Sequence, residues 1–270
     1  MRRTSYSALF SLLALLALEG CSGTPAPAAD AAVVTDAGSD AGAPMTCGPV
    51  APSCQDEQIA MLDLFTTVST RTVEEESAPA GTHASHVDSM GGGISPTESY
   101  VYARFTDAGL VRVDISDQDA LASTAWDIAF RRFIIRLNSG VSGPSCVQAA
   151  RLPNDPGTGG PPAFDSVTSV PSGLSFHEEV YLTSGTCGIV PDGSGLGSPA
   201  TVLSSYWTYP GCVSMSHNVY VVQLANMRHV KLEVVSYYNA PDQAACDTSG
   251  TMPTTPGSSG NIRLQWAFLD

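Results

Sequence analysis

Cysteine, histidine, methionine and clustered carboxylates are the side chains here whose types could do chemistry. Six of the seven cysteines, Cys47, Cys54, Cys146, Cys187, Cys212 and Cys246, are widely spaced, and no two form a Cys-x-x-Cys pair. That spacing argues against a structural zinc site. In an exported chain an even set of cysteines predicts disulfides, and six partners allow fifteen connectivities, all open on spacing alone. His83-Ala-Ser-His86 brings two imidazoles close in sequence, but residues i and i+3 of a strand face opposite ways, so the pair is expected at the surface rather than on a metal. Asp114, Asp117 and Asp119 lack the spacing of a calcium loop; a helix cap at Ser116 accounts for them better. There is no Gly-x-Ser-x-Gly elbow, no phosphate-binding Walker loop and no His-Glu-x-x-His. No enzyme is expected.

The seventh cysteine has a different setting. Met1-Arg2-Arg3 is basic, Ala8 to Leu18 is an apolar run too short to span a bilayer, and Leu18-Glu-Gly-Cys21 follows it with the look of a lipobox. This order predicts a lipoprotein signal peptide over 1–20 and acylation of Cys21. The protein is then exported and lipid-anchored to a bacterial membrane, at the cell surface. In the segment 21–46, residues 22–44 are nearly all Ala, Gly, Pro, Asp, Thr and Ser, with only Val33-Val34 to bury. Such a segment cannot offset its chain entropy and is expected to be a disordered tether. Residues 47–270 remain, enough for one β domain with a substantial core. The formal charge of −14, with nothing basic clustered beyond Arg131-Arg132, excludes a nucleic-acid partner.

The elements that would position these groups are mostly strands. Residues 56–65 carry Ile59, Leu62 and Phe65 at helical spacing, and 66–76 alternate like a strand. Residues 100–105 and 110–115 flank Thr106-Asp-Ala-Gly109, a hairpin signal. Long Gly/Pro loops are expected at 153–163, 184–199 and 239–260. Residues 219–224 and 230–237 form a second hairpin, and Ile262, Leu264, Trp266 and Phe268 share one face of a last strand. The fold class is all-β: a single loop-rich antiparallel domain.

The densest apolar run is 123–140. Trp126, Ile128 and Phe130 align at period two, and then Phe133, Ile135 and Leu137 align on the other side. Such a slip needs two short strands or a bulge, with Arg131-Arg132 at the irregularity. The charges of Asp127, Arg131, Arg132 and Arg136 are expected at strand edges or in local pairs.

This run also carries a resemblance. Trp126-Asp-Ile-Ala-Phe-Arg-Arg-Phe-Ile-Ile-Arg-Leu-Asn-Ser-Gly-Val-Ser-Gly143, preceded by Ala-Ser-Thr-Ala, resembles the signature of the HmuY family of bacterial haem-binding surface lipoproteins. Asp165-Ser-Val-Thr-Ser-Val-Pro171 and the stretch from Tyr220 to Tyr238 are similar to later segments of that family, so the likeness runs from about Tyr100 to the last residue. It implies a haemophore: haem, or a haem-carrying protein, as partner, with iron held between His or Met side chains from two loops. In those regions stand His177, Met215 and His217, which the resemblance nominates as the axial set. Imidazole suits ferric iron and thioether the softer ferrous ion. A non-haem surface binding or structural module on the same fold is the alternative, and a surface hydrolase a distant third.

Overall fold

Two antiparallel sheets carry the fold in the computed structural model, which describes residues 48, 52–91 and 95–269, all within the unit Pro44–Asp270. The expected signal peptide, Cys21, Cys47 and the whole of the expected tether fall outside the described residues. The chain enters through helix α1 (Gln55–Met61) and strands β1 (Val73–Glu76) and β2 (His83–Asp88). It continues through β3 (Val101–Thr106), β4 (Gly109–Val113), the one-turn helix α2 (Asp117–Ala120), β5 (Ile128–Arg131), β6 (Ile134–Leu137) and β7 (Gln148–Arg151). After a long irregular stretch come β8 (Trp207–Thr208), β9 (Ser214–Met215), β10 (Val219–Gln223), β11 (His229–Ser236), α3 (Ala240–Ser249) and β12 (Asn261–Leu269). The larger sheet has the order β1-β2-β12-β11-β10-β7 and the smaller β4-β3-β5-β6, while β8 and β9 pair with each other. Mostly antiparallel β structure with few helices is the class the sequence predicts.

The facing sides of the two sheets make the main core. Val101, Ala103, Phe105, Ile128, Phe130, Ile135 and Leu137 meet Tyr220, Val222, Val230, Leu232, Leu264 and Trp266 from the larger sheet. Removing these side chains from water drives the sheets together. Both sheets are covered on their outer sides as well. Leu62, Leu64, Ala120, Leu121, Tyr181 and Leu182 pack over Tyr100, Tyr102 and Ala129 of the smaller sheet. Phe164 and Val167 cover Val219 and Val221 of the larger one. Strand β5 is therefore buried at all four positions, which is why its sequence is nearly continuously apolar.

At 123–140 the slip resolves into two strands. Arg131 pairs with Ile134, leaving Arg132-Phe133 as a two-residue hairpin turn with Arg132 at φ 55°. Ile128 lies opposite Leu137 and Phe130 opposite Ile135, so all four point into the main core. Trp126 departs from the predicted face. It precedes the strand, packs on the outer side against Tyr102 at 4.9 Å and donates its indole N–H to Ala120 O. The expectation for the charges holds for Arg132, at the turn, and fails for the other three: Arg136 is wholly buried, and Asp127 and Arg131 nearly so. Their partners come from segments distant in sequence, which periodicity cannot see.

Other departures are local. The predicted strand 66–76 shrinks to β1, and the predicted loop 239–260 contains α3. The cap signals of α3 were nonetheless present: Asn239 at the N-cap, Pro241 in the first turn and Gly250 at φ 66° closing the end. Ser116 caps α2 as expected, its Oγ accepting from the Asp119 N–H. Disulfides join Cys54 to Cys187 and Cys212 to Cys246, and Cys146 is also disulfide-bonded.

Candidate functional site

The β5–β6 turn forms one wall of a cavity of about 730 Å³. Arg131, Arg132, Phe133 and Ile134 come from that turn. Met61, Leu62 and Asp63 come from the end of α1. Ile189 and residues 196–199 supply a third wall, Tyr209 and Val213 a fourth, and Tyr237 and Tyr238 rise from the end of β11 beside Met252, Pro253 and Ser258-Ser259. The turn is held rigidly: Arg132 N–H donates to Ser89 O, Ser89 Oγ donates to Arg132 O, and the Tyr206 hydroxyl donates to Phe133 O. Phe133, Trp207, Tyr209, Tyr237 and Tyr238 form a chain of ring contacts along this end of the molecule. Met61 and Met252 both leave about half of their surface exposed, 47% and 48%.

Behind the arginine wall lies a buried polar cluster. The Tyr100 ring is held between two guanidiniums, Arg131 at 4.1 Å and Arg136 at 4.0 Å from its centroid. Arg136 donates to the Tyr102 hydroxyl at 2.9 Å, and that hydroxyl donates to Asp117 Oδ1 at 2.8 Å. Arg131 donates to the carbonyls of Leu62 and Asp63 and pairs with Asp117 Oδ2 at 3.5 Å. The α1 end of the cavity wall is thus pinned to the signature strand by a desolvated cation. Arg132 stands at the turn itself, above the Phe133 ring and hydrogen-bonded to the Tyr237 phenol. Burial pushes the Tyr237 and Tyr238 phenols above their ordinary values, so both stay protonated at neutral pH.

Glu179 is also fully buried. Its carboxylate accepts from Leu137 N–H and Val202 N–H, joining β6 to the segment after the third wall. Desolvation raises its pKa to about 7 despite those donors and the Arg136 charge.

The three side chains nominated as axial ligands lie elsewhere, and none lines the cavity. His177 is exposed and bridges Ala149 through backbone hydrogen bonds, extending the larger sheet past β7. Met215 is buried in the main core, its N–H donating to Asp247. His217, at φ 55°, holds its Nδ1 at 2.8 Å from Glu233, a contact that raises its pKa. Ala149 is level with Val222, so His177 and His217 lie on the order of 15–20 Å apart by strand spacing and rise. Met215 and His217 are near neighbours, one inside the core and one outside it. The structure does not bring the three together. His83 stacks on Trp266 at 4.1 Å and His86 meets Asn261, and no group of three or more His, Cys, Asp or Glu among the described residues could hold a metal ion. Sequence reasoning missed Met61, Met252, Tyr209 and the Tyr237-Tyr238 pair as cavity residues. Met252, alone among Thr, Pro and Gly in its loop, was the one local signal.

The antiparallel two-sheet fold thus carries an aromatic, arginine-edged cavity at the β5–β6 turn. The HmuY protein family profile matches residues 96–250, and the chain belongs to the HmuY family. Members of this family bind haem and are not enzymes. Among curated proteins none matches the chain. Among solved structures it is similar to a protein of Bacteroides vulgatus named as an HmuY-like haem binder, at 16% identity and TM-score 0.42, covering 74% of this chain and 97% of that one. A protein of Bacteroides fragilis named as a lipoprotein has 15% identity and TM-score 0.42, covering 72% and 92%. The HmuY analogue of Tannerella forsythia, without haem, has 13% identity and TM-score 0.39, covering 74% and 97%.

Proposed function

We propose that this chain is a cell-surface haem-binding protein whose porphyrin occupies the cavity at the β5–β6 turn. The observation that carries the reading is the cavity itself. Its volume of about 730 Å³ lies in the range of about 300–1,000 Å³ usual for small-molecule sites, and its residues fit the group. Phe133, Ile134, Tyr209 and Tyr237 offer apolar and aromatic surface to the macrocycle, Arg132 offers a cation to its propionates, and Met61 and Met252 offer thioethers to its iron. Bound iron would supply a Lewis-acidic centre for the axial donors. The protein's part is to exclude water and fix the plane of the ring. Cys21, acylated, would anchor the molecule to the membrane through the tether.

Hemin titrated into purified protein under oxidising and dithionite conditions checks this. Saturable Soret changes are expected, tighter after reduction, since thioether donors favour the ferrous ion. Met61→Ala and Met252→Ala should each shift the Soret peak without abolishing binding, because the apolar contacts remain. His177→Ala and His217→Ala should leave the spectrum unchanged. A shift in those histidine variants instead would return the ligand role to the loops at 177 and 215–217. No saturable change in either redox state would leave the alternative, a non-haem binding module on the same fold.

A further inference from the structure

Two of the disulfides, Cys54–Cys187 and Cys212–Cys246, tie one wall of the cavity to another part of the fold, and they differ in how far a reductant can reach them. Cys212 and Cys246 are buried, 0% and 1% exposed. They join the segment carrying Tyr209 and Val213 to α3, whose end leads into Met252. Cys54 and Cys187 are only half-buried. Cys54 directly precedes α1, whose last residue is Met61, and Cys187 stands two residues before Ile189. The Cys54–Cys187 bond therefore links the α1 wall to the 189–199 wall. The wall is also held by backbone pairings, among them Thr183 N–H to Gly188 O, Val190 N–H to Tyr181 O, Asp192 N–H to Ser198 O and Ala200 N–H to Val190 O, and by Val202 N–H to the Glu179 carboxylate.

A second, independent observation concerns the backbone at the two half-cystines. Cys54 has φ 63° and Cys187 φ 53°, the left-handed region that L-residues with a β-carbon rarely occupy. Only six described non-glycine residues do so, and this one bridge accounts for two of them. Conformations of this kind persist where surrounding structure over-determines them and are concentrated at switch regions. Breaking the bond removes the covalent tie between the two chains that lead into these walls and leaves Cys187 held by its turn alone, through Cys187 N–H to Thr183 O and Gly188 N–H to Thr183 Oγ1.

We propose that the Cys54–Cys187 disulfide is a redox-sensitive latch on the cavity, opened by an external dithiol. A thiolate of the dithiol attacks one bridge sulfur, the Cys54–Cys187 bond breaks, and the mixed disulfide resolves as the second thiol of the reductant closes its own ring. Two electrons pass to the protein, two protons complete the Cys54 and Cys187 thiols, and the dithiol leaves as its cyclic disulfide. The oxidised latch pre-organises the Met61 and Ile189 walls, and the reduced one releases ligand. This rests on the haem reading for the identity of the ligand, but not for the movement of the wall.

The test has three arms on the full mature chain. Non-denaturing dithiothreitol followed by alkylation and peptide mapping should label Cys54 and Cys187 while Cys212 and Cys246 stay bonded; equal labelling of both pairs overturns the proposal. Limited proteolysis should cut within 187–199 in the Cys54→Ser/Cys187→Ser protein and spare the oxidised wild type, with far-ultraviolet circular dichroism confirming an intact fold; identical cleavage overturns it. Hemin should bind that double variant roughly tenfold more weakly than wild type, the cost of lost pre-organisation; an unchanged affinity overturns it. If oxidised wild type binds no hemin, the haem reading falls, and labelling and cleavage alone decide the latch.

Discussion

At the scale of single residues, Glu179 most clearly couples chemistry to stability. It is a carboxyl with no solvent contact, and desolvation lifts its pKa from 4.5 to about 7. Between those values the folded protein holds a proton that the unfolded chain releases. The stability this group contributes is therefore complete below about pH 4.5 and is lost as pH rises through about 7. A shift of that size corresponds to roughly 3 kcal/mol. Urea denaturation should show wild type weakening between pH 5 and pH 8, with a smaller decline in Glu179→Gln. The same decline in both proteins would assign the pH dependence to other groups. No local pattern marks Glu179, because its donors, Leu137 and Val202, lie 42 and 23 residues away.

At the scale of elements, the β5–β6 hairpin both closes the smaller sheet and floors the cavity. Its turn places Arg132 at φ 55°, where glycine costs nothing and a residue with a β-carbon is strained by about 1 kcal/mol or more. An arginine there, rather than a glycine, fits a use for the side chain beyond the turn, the cation of the proposed site. Arg132→Gly should leave the thermal midpoint equal to or above wild type while weakening hemin binding several-fold, because the strain goes and the propionate cation goes with it. Calorimetry and Soret titration on the same sample separate the two effects. A lower midpoint with unchanged affinity would make Arg132 a structural residue only.

At the scale of the whole molecule, the formal charge of −14 keeps the surface soluble and repels anionic ligands at long range. On the proposed function, capture would then depend on a short-range site, the cavity edged by Arg131 and Arg132, rather than on steering. The proposed lipid anchor and tether would suit that, since they would hold the cavity where the ligand arrives. Cys21→Ser should abolish acylation and move the protein from the detergent phase to the aqueous phase on Triton X-114 partitioning, with no change in hemin affinity. Native protein with a free, unmodified Cys21 would remove the anchor from this account.

Sequence by itself determined what depends on near neighbours. The β3–β4 and β10–β11 hairpins, the Ser116 cap, the shared face of Ile262, Leu264 and Trp266 and the break in the pattern at Arg131-Arg132 all follow from periodicity and turn chemistry, while the structure chose two strands over one bulged strand there. The family was legible in the run from Trp126 to Gly143, whose apolar density reflects burial of β5 on both faces. Only the tertiary structure decided where the charges and the ligand donors go. Arg136 is buried because Tyr100, Tyr102 and Tyr181, as many as 45 residues away, converge on its guanidinium. Met61 and Met252 line one cavity though 191 positions apart, whereas Met215 and His217, two apart, end inside and outside the core. Alternation fixes which side of a strand a residue takes, but which segments cover that side is set by packing between elements distant in the chain, and a cavity exists only once they have met.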